Sequence, residues 1–399
     1  MAELRQNTWS VNAWYEQDYA GNASYESIVN ELWAWGLNDY GQLGQGNQTN
    51  YSSPVQIPGT TWATIGSARQ SAAATKSDGT LWTWGRNTSG NLATGAQTNT
   101  ESPVQVPGTT WNGGCAGDDV GMYTKSDGTL WTVGSSPGGK LGQNNSLPTA
   151  SYFSPRQIPG TTWSRAPSVF AGSHSACVKT DGTLWMWGAN GYGQLGQNQA
   201  NAQLASVNSP VQVPGTWCTD GVDNLCGSLG YYTLARKSDG TIWQWGDNEY
   251  GVGGNSSTRS TSTNARNSSP TQVGSDNTWA KVFCANSAEV AGGIKTDGTL
   301  WMWGLGGAGQ LAQNNRTNYS SPVQIPGTNW AKVGLTHAGN SIATKTDGSL
   351  WAWGYAPSGN LGLNEGGIVR RSSPTQIPGD WGNSMLGGGE HCVFALKQF

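Results

Sequence analysis

Gly304-Leu-Gly306-Gly-Ala-Gly309 has the G-x-G-x-x-G spacing with which a strand-to-helix turn cradles a pyrophosphate. The same register elsewhere reads Gly36-x-Asn38-x-x-Gly41 and Gly188-x-Asn190-x-x-Gly193. Gly306 therefore stands where Asn recurs, no ribose-binding acid or helical period follows, and no cofactor is expected. His174, His337 and His391 lie in neither H-E-x-x-H nor any zinc spacing. Each falls after a recurrent Trp, in the register of a strand start, so a structural role is expected and no metal. The six cysteines are scattered without a C-x-x-C and read as small buried hydrophobes. Cys218 and Cys226 are the close pair among them, and a disulfide there stays open. Asp78, Asp127, Asp181, Asp239, Asp297 and Asp347 recur, but always within Lys-[Ser/Thr]-Asp-Gly, where hairpin-turn chemistry accounts for them. Without a G-x-S-x-G elbow, a P-loop or a paired-carboxylate motif, no catalytic residue is assigned and the chain is read as not an enzyme.

The elements around these residues are repeats. Leu-Trp-x-Trp-Gly stands at 32–36, 81–85, 184–188, 300–304 and 350–354; Ile242–Gly246 begins with Ile, and Leu130–Gly134 has Val133 for its second Trp. Ser-Pro-x-Gln-[Ile/Val] recurs at Pro54, Pro103, Pro155, Pro210, Pro270, Pro322 and Pro374, each followed by a lone Trp. Of the 22 Trp, Trp9 and Trp14 alone lie outside these phrases, so the others are architectural by default. Trp at i and i+2 of a strand point to one face, and Leu and the residue between them to the other. With both faces apolar, each unit reads as about four short antiparallel strands that must stack on their neighbours. The fold expected is all-β: a single seven-bladed β-propeller of four-stranded antiparallel blades over 31–399, preceded by an N-terminal arm over 1–30. Cys392–Lys397 matches the strand that precedes the Asp-Gly turn elsewhere, so it is expected to pair with Leu32–Gly36 and close the ring.

Composition sets limits. Charged residues are 11% of the chain and the net charge is -3, which gives no basic footprint for nucleic acid or anionic lipid. No run approaches the length of a membrane span. Met1–Gly21 lacks the basic start, apolar core and cleavage site of a secretory signal.

The order Asp-Gly-Thr-Leu-Trp-x-Trp-Gly-x-Asn-x-x-Gly-Gln-Leu-Gly, complete over Asp181–Gly196, resembles the regulator of chromosome condensation type of repeat. The resemblance covers about 31–399 and implies a seven-bladed propeller. Trp at the first aromatic position and the Ser-Pro-Val-Gln-Ile-Pro-Gly-Thr-Thr-Trp phrase look like bacterial and phage members. The family's namesake is a nucleotide-exchange factor acting at chromatin; this chain has no basic tail and no insertion matching an exchange wedge.

Propellers bind through end loops or added segments. The connections near Gln143–Tyr152, Gln197–Asn208 and Gly253–Ser268 are lengthened, with Leu147, Tyr152, Leu204 and Val207 as expected apolar tips, and Cys218–Tyr231 is lengthened too. They suggest one contact face on the blades from about 135 to 280. Trp9, Val11, Trp14, Tyr15 and Tyr19 give the arm an apolar stripe for docking on its own ring or another subunit. The expectation is a non-enzymatic virion structural or attachment protein, from a phage head or tail. Its partners would be capsid or tail proteins, or a host surface protein or glycan. The alternative is a bacterial cytoplasmic propeller that binds or inhibits a protein.

Overall fold

The computed structural model describes residues 30–135, 137–144, 151–164, 168–169, 174–199, 205–219, 223–227, 231–258, 266–285, 289–336, 339–382 and 384–397. The expected arm lies outside these, apart from Asn30, whose amide donates to the Trp62 carbonyl at 2.8 Å. Among the described residues the chain is all-β, with one 3-10 turn at Pro137–Gly139.

Each unit begins with a local device written in the sequence. At the hairpin, Asp78 Oδ1 accepts the Thr80 N–H at 3.0 Å and its hydroxyl at 2.7 Å. The hydroxyl oxygen then accepts Trp82 Nε1–H at 2.9 Å. Turn and strand are thereby tied into one unit, and the same relay runs through Thr129, Thr183, Thr241, Thr299 and Ser349. The first unit has no such hairpin, and there Glu31 takes the Trp33 indole N–H at 3.1 Å.

The strands assemble into six sheets. One, of eight strands, is two four-stranded units joined through Trp62–Ala68 and Trp111–Ala116 by the single pair Ser67–Ala116. Four more run in chain order, starting at Ser168–Val169, Leu225–Gly227, Trp279–Cys284 and Trp330–Leu335. The last is built from both parts of the chain: Tyr51–Gln56, Glu31–Gly36, Cys392–Lys397 and Met385–Gly388. Its central pairing, Leu32 opposite Leu396 and Trp35 opposite Val393, is the expected closure. The innermost strands touch in a cycle from Trp62–Ala68 through Trp111–Ala116 and onward to Met385–Gly388, which returns to Trp62–Ala68.

The core lies between units. Leu32, Ala34 and Leu43 pack with Trp62, Ile65 and Trp84 of the next unit, and Trp35 and Val393 with Ile342, Leu350 and Trp381. The second Trp of the phrase is fully buried and donates its indole N–H to a carbonyl of the preceding unit. The acceptors of Trp35, Trp84, Trp187, Trp245, Trp303 and Trp353 are Asn360, Gln42, Lys140, Gln194, Val252 and Gln310, at 2.8–3.2 Å. A buried indole needs such an acceptor. Where Val133 replaces Trp, Tyr123 fills the gap and donates its hydroxyl to the equivalent carbonyl, Asn91, at 3.0 Å. Room for it comes from two glycines: a Cβ on Gly114 would lie 2.6 Å from the Tyr123 side chain, and one on Gly121 would lie 2.5 Å from its hydroxyl.

Candidate functional site

Antiparallel strands sort the connections between the two ends of the ring. The turn after each inner strand and the loop after each Trp-Gly strand emerge together, and the Asp-Gly hairpins and Pro-Gly connections emerge opposite.

The first end is charged and aromatic. Arg69 Nη1 meets Asp118 at 2.6 Å, Arg69 Nε meets Glu390 at 3.3 Å, and Arg86 meets the other oxygen of Asp118 at 2.9 Å. Three units are thus linked by ion pairs that are partly screened, and their value lies in fixing geometry more than in stability. Lys140, almost wholly buried, pairs with Asp119 at 2.8 Å. Further round, Tyr192 and Tyr231 of adjacent units stack at 4.3 Å with 9° between their planes, and the Arg266 guanidinium lies 4.2 Å from the Tyr192 centroid. Both tyrosines are half-buried, so each leaves part of its surface at this end. Asp247, Glu249 and Glu289 bring carboxylate oxygens within 4.8 Å of one another, the described group with metal-ligand spacing. They come from two units, and sequence reading missed them because no local motif joins 247 to 289.

The second end carries a motif the sequence phrase concealed. The Lys before each Asp-Gly turn lies over two indoles: Lys76 Nζ is 4.9 Å from the Trp62 centroid and 4.5 Å from that of Trp82. Lys125, Lys179, Lys237, Lys295, Lys345 and Lys397 repeat it. The lone Trp also meets its neighbours edge-on, as Trp163 does Trp185 and Trp187, both at 6.3 Å.

Of the expected contact residues, Trp9, Val11, Trp14, Tyr15, Tyr19, Leu147 and Leu204 lie outside the described residues. Tyr152 and Val207 are not loop tips. Each is a half-buried residue at the start of an outer strand, opposite Gly134 and Gly188, and packs onto the core. Val104, Phe153 and Ile368, 38%, 37% and 65% exposed, are the large apolar side chains among the described residues that do reach solvent. His174 begins the strand His174–Val178, fully buried, with Nε2 3.0 Å from Thr233 Oγ1. Burial, with Lys140 nearby, lowers its pKa to about 3, so the imidazole is neutral and structural. Cys218 and Cys226 are not joined, and all six cysteines are free thiols. Cys226 approaches Cys284 of the adjacent unit instead, which proximity in the chain does not reveal.

An all-β ring of four-stranded antiparallel units, each wedged by indoles against the next, defines a β-propeller. The profile of the regulator of chromosome condensation (RCC1) repeat matches residues 30–72, 78–115, 181–218 and 297–342. The E3 ubiquitin-protein ligase HERC2 of Homo sapiens is 32% identical over 162 residues, which is 41% of this chain and 3% of that protein. The mitochondrial RCC1 domain-containing protein RUG3 of Arabidopsis thaliana is 29% identical over 38% of this chain and 31% of its own length. The chain thus spans a minor part of these curated relatives. Among solved structures, human WBSCR16 superposes with a TM-score of 0.74 over 92% of this chain and 98% of its own. Prp20p of Saccharomyces cerevisiae, described with its binding to Gsp1p and histones, does so with a TM-score of 0.74 over 96% and 95%. Both are 16% identical, a level at which the fold is what is shared.

Proposed function

We propose that this chain is a non-enzymatic, seven-bladed propeller that binds a protein partner through the first end of the ring, over the units between about 135 and 280. The blade count takes the eight-stranded sheet as two blades held by one bridging pair. The observation that carries the binding reading is the stack of Arg266, Tyr192 and Tyr231. Tyr and Arg are, with Trp, the side chains on which protein interfaces concentrate their energy, and stacking on Tyr192 already restrains the Arg266 guanidinium. Prp20p, a fold relative, is described in one structure with Gsp1p and histones and in another bound to Kap60, which supports a protein as the class of partner.

The setting we propose is a virion, with capsid or tail proteins, or a host surface protein or glycan, as partner. Its support is the wording of the repeat and a low-charge surface rich in Asn, Thr, Ser and Gly. Mass spectrometry of purified particles tests the setting, and absence of the chain from them refutes it. Affinity capture with wild type and a Tyr192→Ala/Arg266→Ala variant tests the site. A partner held equally by both refutes the first end as the contact. A soluble partner from bacterial lysate, with no virion association, supports the cytoplasmic alternative.

A further inference from the structure

At the second end of the ring one unit fills with its own carboxylate a position that another leaves to a glycine. Asp276 stands three residues before Trp279, and its Oδ2 lies 2.5 Å from Lys295 Nζ. That ammonium lies over Trp279 and Trp301 at 5.1 and 4.1 Å. Asp276 Oδ1 accepts the Thr278 N–H and hydroxyl at 2.8 and 2.7 Å. Lys295 and these Thr278 bonds hold the Asp276 carboxyl down at about 2, so the group is ionised and paired.

Three residues before Trp163 the chain has Gly160. A Cβ built there would lie 3.7 Å from Trp163 Nε1 and 3.8 Å from Lys179 Nζ. Two donors therefore converge on space that glycine does not enter. The Lys179 ammonium lies over Trp163 and Trp185 at 4.7 and 4.6 Å and makes no ion pair within 4 Å among the described residues, the Asp181 carboxylate acting on it only from farther off. Trp163 is 4% exposed, and its indole N–H has no acceptor. Buried donors are as a rule matched, so this pair asks for an oxygen acceptor. The slot adjoins a cleft of about 400 Å³ between two units, with Gln143, Gln157, Trp185 and Ser209 in its wall beside Trp163 and Lys179. Its other polar side chains are neutral, so the lysine sets the charge it selects. The same two donors converge over Gly59 and Gly327, which makes the slot a property of the repeat.

We propose that this cleft takes an Asp or Glu side chain from a protein partner, its carboxylate seated on Lys179 and Trp163 as Asp276 is seated on Lys295. The inference rests on the protein-binding reading and adds to it a second contact, at the end of the ring opposite Tyr192, Tyr231 and Arg266, anchored by an acidic residue. Asp276 reaches Lys295 and Thr278 and leaves the Trp279 indole N–H without an acceptor; a carboxylate arriving from outside gains the charge-assisted bond to Lys179, which an amide does not, and can approach the Trp163 N–H as well.

The test uses the full chain with 15N-labelled indoles, the Trp163 signal being assigned through Trp163→Phe. The probes are a blocked Gly-Ser-Glu-Ser-Gly peptide, its Gln counterpart, and acetate. We expect a saturable shift of the Trp163 signal with the Glu peptide at millimolar concentration, and binding at least tenfold weaker with the Gln peptide. Lys179→Met should abolish the shift and Lys179→Arg restore it, so that a loss through misfolding of the first variant is told apart by the second. No shift with the Glu peptide, an equal shift with the Gln peptide, or a shift that survives Lys179→Met overturns the proposal. An equal response to acetate overturns the peptide assignment in favour of a free carboxylate. A partner captured equally by wild type and Lys179→Met refutes the slot and leaves the protein-binding reading standing. Peptide binding with no captured partner does the reverse.

Discussion

Tyr123 and Val133 together stand in for one tryptophan, and exchanging them should reveal it. Tyr123 is fully buried, 6.1 Å from Trp111 centroid to centroid, and its hydroxyl holds the Asn91 carbonyl of the preceding unit. Truncating a buried aromatic to Ala costs about 3–5 kcal/mol, and the lost hydrogen bond adds about 1. Val133→Trp alone inserts an indole into space the phenol occupies, and overpacking of that kind costs about 1–3 kcal/mol. The pair Tyr123→Ala/Val133→Trp recreates the arrangement in which Trp84 faces Gln42 and Ala74 takes the small position. It should lie within about 2 kcal/mol of wild type, a coupling of at least about 3 kcal/mol. Urea unfolding followed by fluorescence and circular dichroism measures the four members of the cycle, with coincident transitions licensing the comparison. If the double variant loses the sum of the two single losses, within about 0.5 kcal/mol, the compensation is not real.

Thr80→Val removes both the acceptor for Trp82 and the donor to Asp78, and should lower stability by about 1 kcal/mol in the same unfolding assay. His174 has a folded pKa depressed to about 3 against an ordinary 6.5, so its stabilisation is complete above pH 6.5 and falls away as pH drops from there toward 3. The difference in unfolding free energy between wild type and His174→Gln should therefore shrink by about 1.4 kcal/mol per pH unit over that window, and stay flat above it. Truncation before Met385 removes two strands of the closing sheet and leaves Glu31–Gly36 with an unpaired edge. Size-exclusion chromatography should show loss of the monomer peak to aggregates. Thiol titration under native, non-reducing conditions followed by denaturation should count six thiols; any lower number contradicts the absence of disulfides among the six cysteines.

The framework was legible in the sequence because its physics is local and repeated. Leu-Trp-x-Trp-Gly fixes a strand with one indole face, Asp-Gly fixes the hairpin, and the unmatched Cys392–Lys397 phrase foretold the closing pair. What stayed hidden depends on partners far along the chain. The lysine of Lys-[Ser/Thr]-Asp-Gly read as a turn flank, yet its ammonium lies over indoles of two other phrases. The signal was its recurrence at one position in six units. Tyr123 could have been found by the same comparison, since its register holds Ala74, Cys177, Ala235, Gly293 and Ala343 elsewhere, all small. Asp247, Glu249 and Glu289 meet through the stacking of units, which no spacing encodes. Tyr152 and Val207 were misplaced because a loop's length says nothing of where the outer strand resumes.

The seam between Glu31–Gly36 and Cys392–Lys397 also dictates when the molecule can be finished. Its partners, such as Leu32 and Leu396, lie roughly 360 residues apart in the chain. At about 5–20 residues per second a ribosome needs tens of seconds to bridge that distance. Throughout that interval the earliest strand, with Leu32, Ala34 and Trp35, waits with its apolar surface unmatched. The ring therefore cannot close until Cys392–Lys397 has left the exit tunnel, and the emerging polypeptide should depend on chaperones until then.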